Sequence, residues 1–137
     1  MGRFFKSNID ITDHIKFNIK NIIETEPILR GKAEKVYVYE DFGSVVVGKK
    51  YDLLSIDGPW GSENYSRIDV IEYIPLILKD DFVIMIDDYN RVGEKNMVEL
   101  PKEKLDGKGI PFYTGKYEGT KDVYIIVSEK WRFLTTM

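Results

Sequence analysis

The sequence predicts an α/β domain built on an open, mostly parallel sheet that finishes in an antiparallel hairpin. Three features predict it. Two short apolar runs, YDLLSID (Tyr51 to Asp57) and FVIMID (Phe82 to Asp87), end on acid, as strands of a parallel sheet do. The segment between them has helical spacing, and the C-terminal third carries β-prone stretches with short connections. A chain of 137 residues, 43% hydrophobic and 31% charged, can bury one core and is too short for two ordinary domains, so one domain over 1–137 is expected.

From the N-terminus, Asn8 to Thr12 reads as a short strand. Asp13 to Glu24 sets Ile15, Ile19, Ile22 and Ile23 on one helical stripe, which Pro27 ends. KVYVYE (Lys35 to Glu40) has the β-branched and aromatic residues of a strand, and a turn-prone stretch around Gly43 and Gly48 comes next. Tyr51 to Asp57 reads as a strand buried on both faces and closed by Gly58-Pro59. Ser66-Arg67-Ile68-Asp69 fits a capping box, so a helix is expected from there, with Ile68, Ile71, Tyr73, Ile74 and Leu78 inward and a kink at Pro75. Phe82 to Asp87 is the next strand. Glu94 to Leu105 has helix formers interrupted by Pro101, which predicts a short or broken helix with a solvated, charge-rich face to Lys108. Ile110 to Tyr113, Val123 to Ser128 and Trp131 to Thr135 read as strands. Glu129-Lys130 is too short for a parallel crossover, so the last pair is expected to be the hairpin.

Composition excludes several functions. No segment reaches the roughly 20 apolar residues of a membrane span, and the N-terminus lacks the layout of a signal peptide, so a cytoplasmic protein with no membrane partner is expected. The absence of cysteine removes disulfides, thiolate metal sites and thiol nucleophiles. A formal net charge of −3 supplies no basic field for nucleic acid. His14, the one histidine, starts a predicted amphipathic helix and is read as structural.

The chemistry-bearing feature is acidic. A parallel pair with a short crossover brings Asp57, Asp87 and Asp88 together beyond the carboxyl ends of two strands, where open α/β sheets bind ligands. Adjacent strands lie about 5 Å apart, so these acids can surround one hard cation, magnesium first. The plainer account makes Asp57 part of an Asp-Gly turn and Asp87-Asp88 a cap for the next segment. Gly58, Pro59 and Gly61 allow close backbone approach, and Trp60 can stack on a flat ligand group or simply cover the core. Arg91 can neutralise the acids, grip an anionic substrate, or form a surface ion pair.

Taken together, YDLLSIDGPWGSENYSRIDVIEYIPLIL, FVIMIDDYNRVGE and VYIIVSEKWRFL resemble the C-terminal half of a class I S-adenosylmethionine-dependent methyltransferase, over roughly residues 51 to 137. The resemblance implies a Rossmann-like methyltransferase-type sheet with strand order 3-2-1-4-5-7-6, here a truncated domain lacking the first strand. It implies S-adenosylmethionine as cofactor and, as in metal-assisted O-methyltransferases, magnesium held by Asp57, Asp87 and Asp88. Asp57, Asp88 and Arg91 would be the catalytic groups. Asp13 would match the acid that binds the cofactor ribose, Glu40 or Asp41 would lie near the adenine, and Asp57, Gly58, Pro59 and Trp60 would line the pocket. Two departures stand out. Pro59-Trp60 replaces the acid and histidine that many metal-dependent relatives carry after Ile-Asp-Gly, and the family's acid-x-Gly-x-Gly loop has no counterpart.

Without the first strand, the edge of Tyr51 to Asp57 is expected to be covered by a rearranged N-terminal segment or paired in a homodimer. Three functions are expected on these grounds: methyl transfer to a small hydroxylated substrate, a non-catalytic relic or interaction module of the same fold, and a magnesium-dependent hydrolytic site on the three acids.

Overall fold

The computed structural model describes residues 18–59 and 63–136. The strand expected at Asn8 to Thr12, together with Asp13, His14, Trp60 and Gly61, lies outside these residues.

Two small antiparallel pairs come first. β1 (Ile22–Thr25) pairs with β4 (Val36–Tyr39), and β2 (Ile28–Leu29) pairs with β3 (Lys32–Ala33) between them. The helix predicted to run to Glu24 is therefore corrected at its C-terminal end. Ile22, Ile23 and Thr25 are β-branched and meet KVYVYE in register, Ile22 opposite Tyr39 and Thr25 opposite Val36. Ile19, expected on the buried stripe, is 95% exposed. A single helical turn, α1 (Gly43–Val46), leads to the main sheet.

That sheet holds β5 (Tyr51–Ile56), β6 (Leu78–Ile86), β7 (Tyr113–Tyr117) and β8 (Val123–Val127) in the order β5-β6-β8-β7. β5 and β6 are parallel, while β8 runs antiparallel to both β6 and β7. The α/β class holds, but the sheet is mixed rather than mostly parallel. The hairpin also differs from expectation. It joins β7 to β8, and Trp131 to Thr135 belongs to a 3-10 segment, Glu129–Thr135. Ser128 fixes this outcome: its amide donates to the Phe82 carbonyl (3.0 Å) and its hydroxyl accepts from the Phe82 amide (2.9 Å). The chain then turns as the Trp131 amide bonds back to the Ser128 carbonyl. The 3-10 segment packs on β7, where a Cβ on Gly115 would stand 3.0 Å from Thr135 Cα.

Phe82, Ile84 and Ile86 alternate along β6, share one face, and belong to the same core as Met97, Val98 and Leu105. The last three come from α2 (Val92–Met97), the junction, and α3 (Glu99–Gly107). The broken helix was expected. The break falls at Val98, and Pro101 sits in the first turn of α3, where its missing amide costs nothing. The strand buried on both faces is β8, whose Tyr124, Ile125, Ile126 and Val127 are all buried. β5 is not, since Leu53 is 53% exposed.

The helix predicted from Ser66 reduces to a 3-10 turn, Ile71–Tyr73. Its apolar residues still point inward, with Ile71, Ile74 and Leu78 in the core. The capping box fails because Asp69 serves another partner, accepting the Tyr39 amide at 2.6 Å. Among the described residues no helix is long and apolar enough to cross a membrane.

Candidate functional site

The register of the parallel pair sets Ile56 opposite Ile86, so Asp57 and Asp87 leave the sheet side by side. The Asp87 amide completes the ladder by donating to the Ile56 carbonyl at 3.2 Å. Asp57, Asp87 and Asp88 converge as expected, each offering a carboxylate oxygen within 4.8 Å of the others. Their surroundings differ. Asp57 is open to solvent, Asp87 is half-buried and Asp88 is buried. The Asp87 carboxylate accepts the Asp88 amide at 2.8 Å, which fixes the pair.

A buried arginine occupies the centre of the cluster. Arg67 Nη2 lies 3.0 Å from Asp88 Oδ2 and 3.4 Å from Asp57 Oδ1, its Nη1 donates to the Asp87 carbonyl at 2.7 Å, and its Nε lies 3.7 Å from Glu94 Oε1. The side chain is 3% exposed. Both Arg67 and Asp88 hold left-handed backbone, each with φ near 57°. That region disfavours an arginine, so the ion pair and its packing over-determine it. Two more cations reach Asp88, Lys121 at 3.6 Å and Arg91 at 3.8 Å, both from the solvent side. The Arg67 hydrogen bond holds the Asp88 carboxyl below its ordinary pKa against the opposing effect of burial, and Arg91, Lys121 and the Arg67 charge act in the same direction as that bond.

Glu94, in the first turn of α2, is completely buried, and neither carboxylate oxygen has a hydrogen-bond partner among the described residues. This corrects the expectation of a solvated face at that position. Arg67 Nε is also without a hydrogen bond, so the two groups face each other as charges at 3.7 Å. Sequence reasoning assigned neither of them. Arg67 had one available signal, being the sole basic residue between Gly58 and Leu78. Glu94 had none.

Two clefts share Tyr39, Phe42 and Asp69 in their walls, and the smaller of them adjoins the cluster. The smaller, about 300 Å³, runs along the end of β5 and includes Leu54, Asp57, Gly58 and Arg67. The larger, about 980 Å³, is walled by apolar groups such as Ile28, Ile68 and Leu100, with Asp41 on its lining. Asp69 thus faces both, and burial raises its carboxyl pKa against the lowering effect of the Tyr39 amide bond. Asp41 is exposed and 3.5 Å from Lys20 Nζ, while the Tyr39 hydroxyl covers Gly58 so closely that a Cβ there would stand 2.5 Å from it. Pro59 is buried. Arg91, itself exposed, reaches the buried Asp88 at 3.8 Å. Comparison with protein-family models, with characterised proteins and with solved structures finds no match.

Proposed function

We propose that this chain is a methyltransferase-type domain that binds S-adenosylmethionine beyond the carboxyl ends of β5 and β6 and serves methyl transfer to a small hydroxylated substrate. The observation that carries the reading is the strand order. β5-β6-β8-β7, with β8 reversed, has the same pattern as the 4-5-7-6 portion of the order 3-2-1-4-5-7-6, which supports the reading. The wall chemistry suits a nucleoside. Asp57 and Asp69 offer carboxylate acceptors for ribose hydroxyls, and Tyr39 and Phe42 offer aromatic faces for a base.

When bound, S-adenosylmethionine supplies a methyl group on a positively charged sulfur. The residues here contribute binding and orientation. Asp57, open to solvent and tethered by Arg67 at 3.4 Å, presents a fixed negative charge toward the smaller cleft. Asp69 accepts hydrogen bonds from whatever polar group enters either cleft. The test is equilibrium binding of S-adenosylhomocysteine to the wild type and to Asp69→Asn and Asp57→Asn. Weaker binding in both variants is expected, and equal affinity in all three would contradict this placement.

A second reading, an interaction module, is favoured by one observation. The outer edge of β5 has no partner strand among the described residues, and Leu53 on it is 53% exposed. A second copy of the chain pairing there would cover this edge.

A further inference from the structure

The three converging acids have the composition of a divalent-cation site, and the decisive question is what already neutralises them. We infer that Arg67 is the resident cation of this cluster, with its guanidinium in the space between Asp57 and Asp88 that a divalent ion would need. The inference does not rest on the methyl-donor reading.

Distance speaks first. A magnesium ion bridging two carboxylates sits about 2.0–2.1 Å from each oxygen. Arg67 Nη2 stands 3.4 Å from Asp57 Oδ1 and 3.0 Å from Asp88 Oδ2, so it already occupies the approach that these two acids share. An ion entering there would meet a like charge at contact range.

Anchorage comes second. An arginine that swung aside would leave the cluster free, but Arg67 is 3% exposed and held on every side. Nη1 is bonded to the Asp87 carbonyl, Nη2 to Asp88, and Nε faces Glu94. Glu94 has no hydrogen bond of its own among the described residues, so withdrawing Arg67 would strand a buried carboxylate.

Charge comes third. Asp57, Asp87, Asp88 and Glu94 are offset by Arg67, Arg91 and Lys121, which brings the cluster close to neutrality. A divalent ion added to this set would turn its net charge positive, beside the buried guanidinium of Arg67. Arg67 therefore acts as a positioning residue, holding Asp57 at the wall of the smaller cleft, which both residues line.

The experiment is a titration with Mn²⁺, monitored by the electron paramagnetic resonance signal of the free ion, on the wild type, on Arg67→Gln and on the double variant Arg67→Gln/Glu94→Gln. The double variant removes the buried charge that the single change strands. The wild type is expected to show no saturable Mn²⁺ binding, and either folded variant is expected to gain a one-to-one site that a further Asp88→Asn change abolishes. A purely structural arginine would not produce that gain. Wild-type binding that Asp57→Ala or Asp88→Asn abolishes would overturn the inference, as would a folded double variant that binds no Mn²⁺. Should neither variant fold, the wild-type titration decides alone.

Discussion

Arg67 and Asp88 form a buried pair whose partners cannot be removed one at a time without cost. Truncating one side of such a pair leaves an uncompensated charge, typically about 3–5 kcal/mol of lost stability. Arg67→Gln should fall in that range by urea denaturation, and adding Glu94→Gln should recover part of the loss because the two groups are coupled. Arg91→Ala, which removes one exposed guanidinium 3.8 Å from Asp88 while Arg67 and Lys121 stay, should change stability by about 0–1 kcal/mol. The pH dependence has two opposing parts. Asp88 has a depressed folded pKa, so its contribution is present above the unfolded aspartate value of about 3.9 and is lost as pH falls through the folded value. Asp69 has a raised folded pKa, so it penalises the fold as pH rises from about 3.9 through that higher value. Asp69→Asn should therefore raise the melting temperature at neutral pH and leave it unchanged at pH 3, and a uniform shift at both pH values would contradict the assignment. At this scale the sequence revealed the acids and concealed their partner. Strand-end carboxylates can be read from periodicity, whereas the burial of Arg67 depends on a turn that sequence patterning represented as a helix.

The strands of the main sheet were more legible than its helices. Tyr51 to Ile56, Phe82 to Ile86 and Val123 to Val127 fall on strands, because continuous β-branched and apolar runs leave little choice of conformation, whereas the strand expected at Ile110 to Tyr113 lies instead at Tyr113–Tyr117. The segment after Ser66 misled, since helical spacing of apolar residues also describes a compact turn that packs Ile71, Ile74 and Leu78 inward. Trp131 to Thr135 misled for a related reason. Its aromatic and β-branched content suits a strand, but Ser128 closes β8 against Phe82 and the chain turns into a 3-10 segment that packs on β7. Elements also differ in what they bear. Ile126, fully buried in β8, should cost about 2–5 kcal/mol on truncation to alanine, while Leu53→Ala on the open strand β5 should cost far less, a contrast that chemical denaturation measures directly.

On the scale of the whole molecule, the acidic strand-end site opens on the smaller cleft, which shares Asp69 with the larger one. The outer edge of β5 has no partner strand among the described residues. If a second copy pairs there, sedimentation should report a dimer for the wild type and a monomer for Leu53→Lys, since a charge on an edge strand opposes pairing. A dimer that survives Leu53→Lys would locate the interface elsewhere. An antiparallel hairpin near the C-terminal end was legible, but not which strands form it, because the direction of β8 depends on which strand it returns to.

The carboxyl ends of β5 and β6 are proposed to bind a methyl-donor nucleoside with Arg67, rather than a metal, balancing the acids. Calorimetric titration of the folded chain with S-adenosylmethionine and S-adenosylhomocysteine, with and without magnesium, tests it most directly. Saturable binding of both is predicted, with the same affinity in either condition. No heat of binding from a properly folded sample would contradict the methyl-donor reading, and binding that appears only with magnesium would contradict the role given to Arg67.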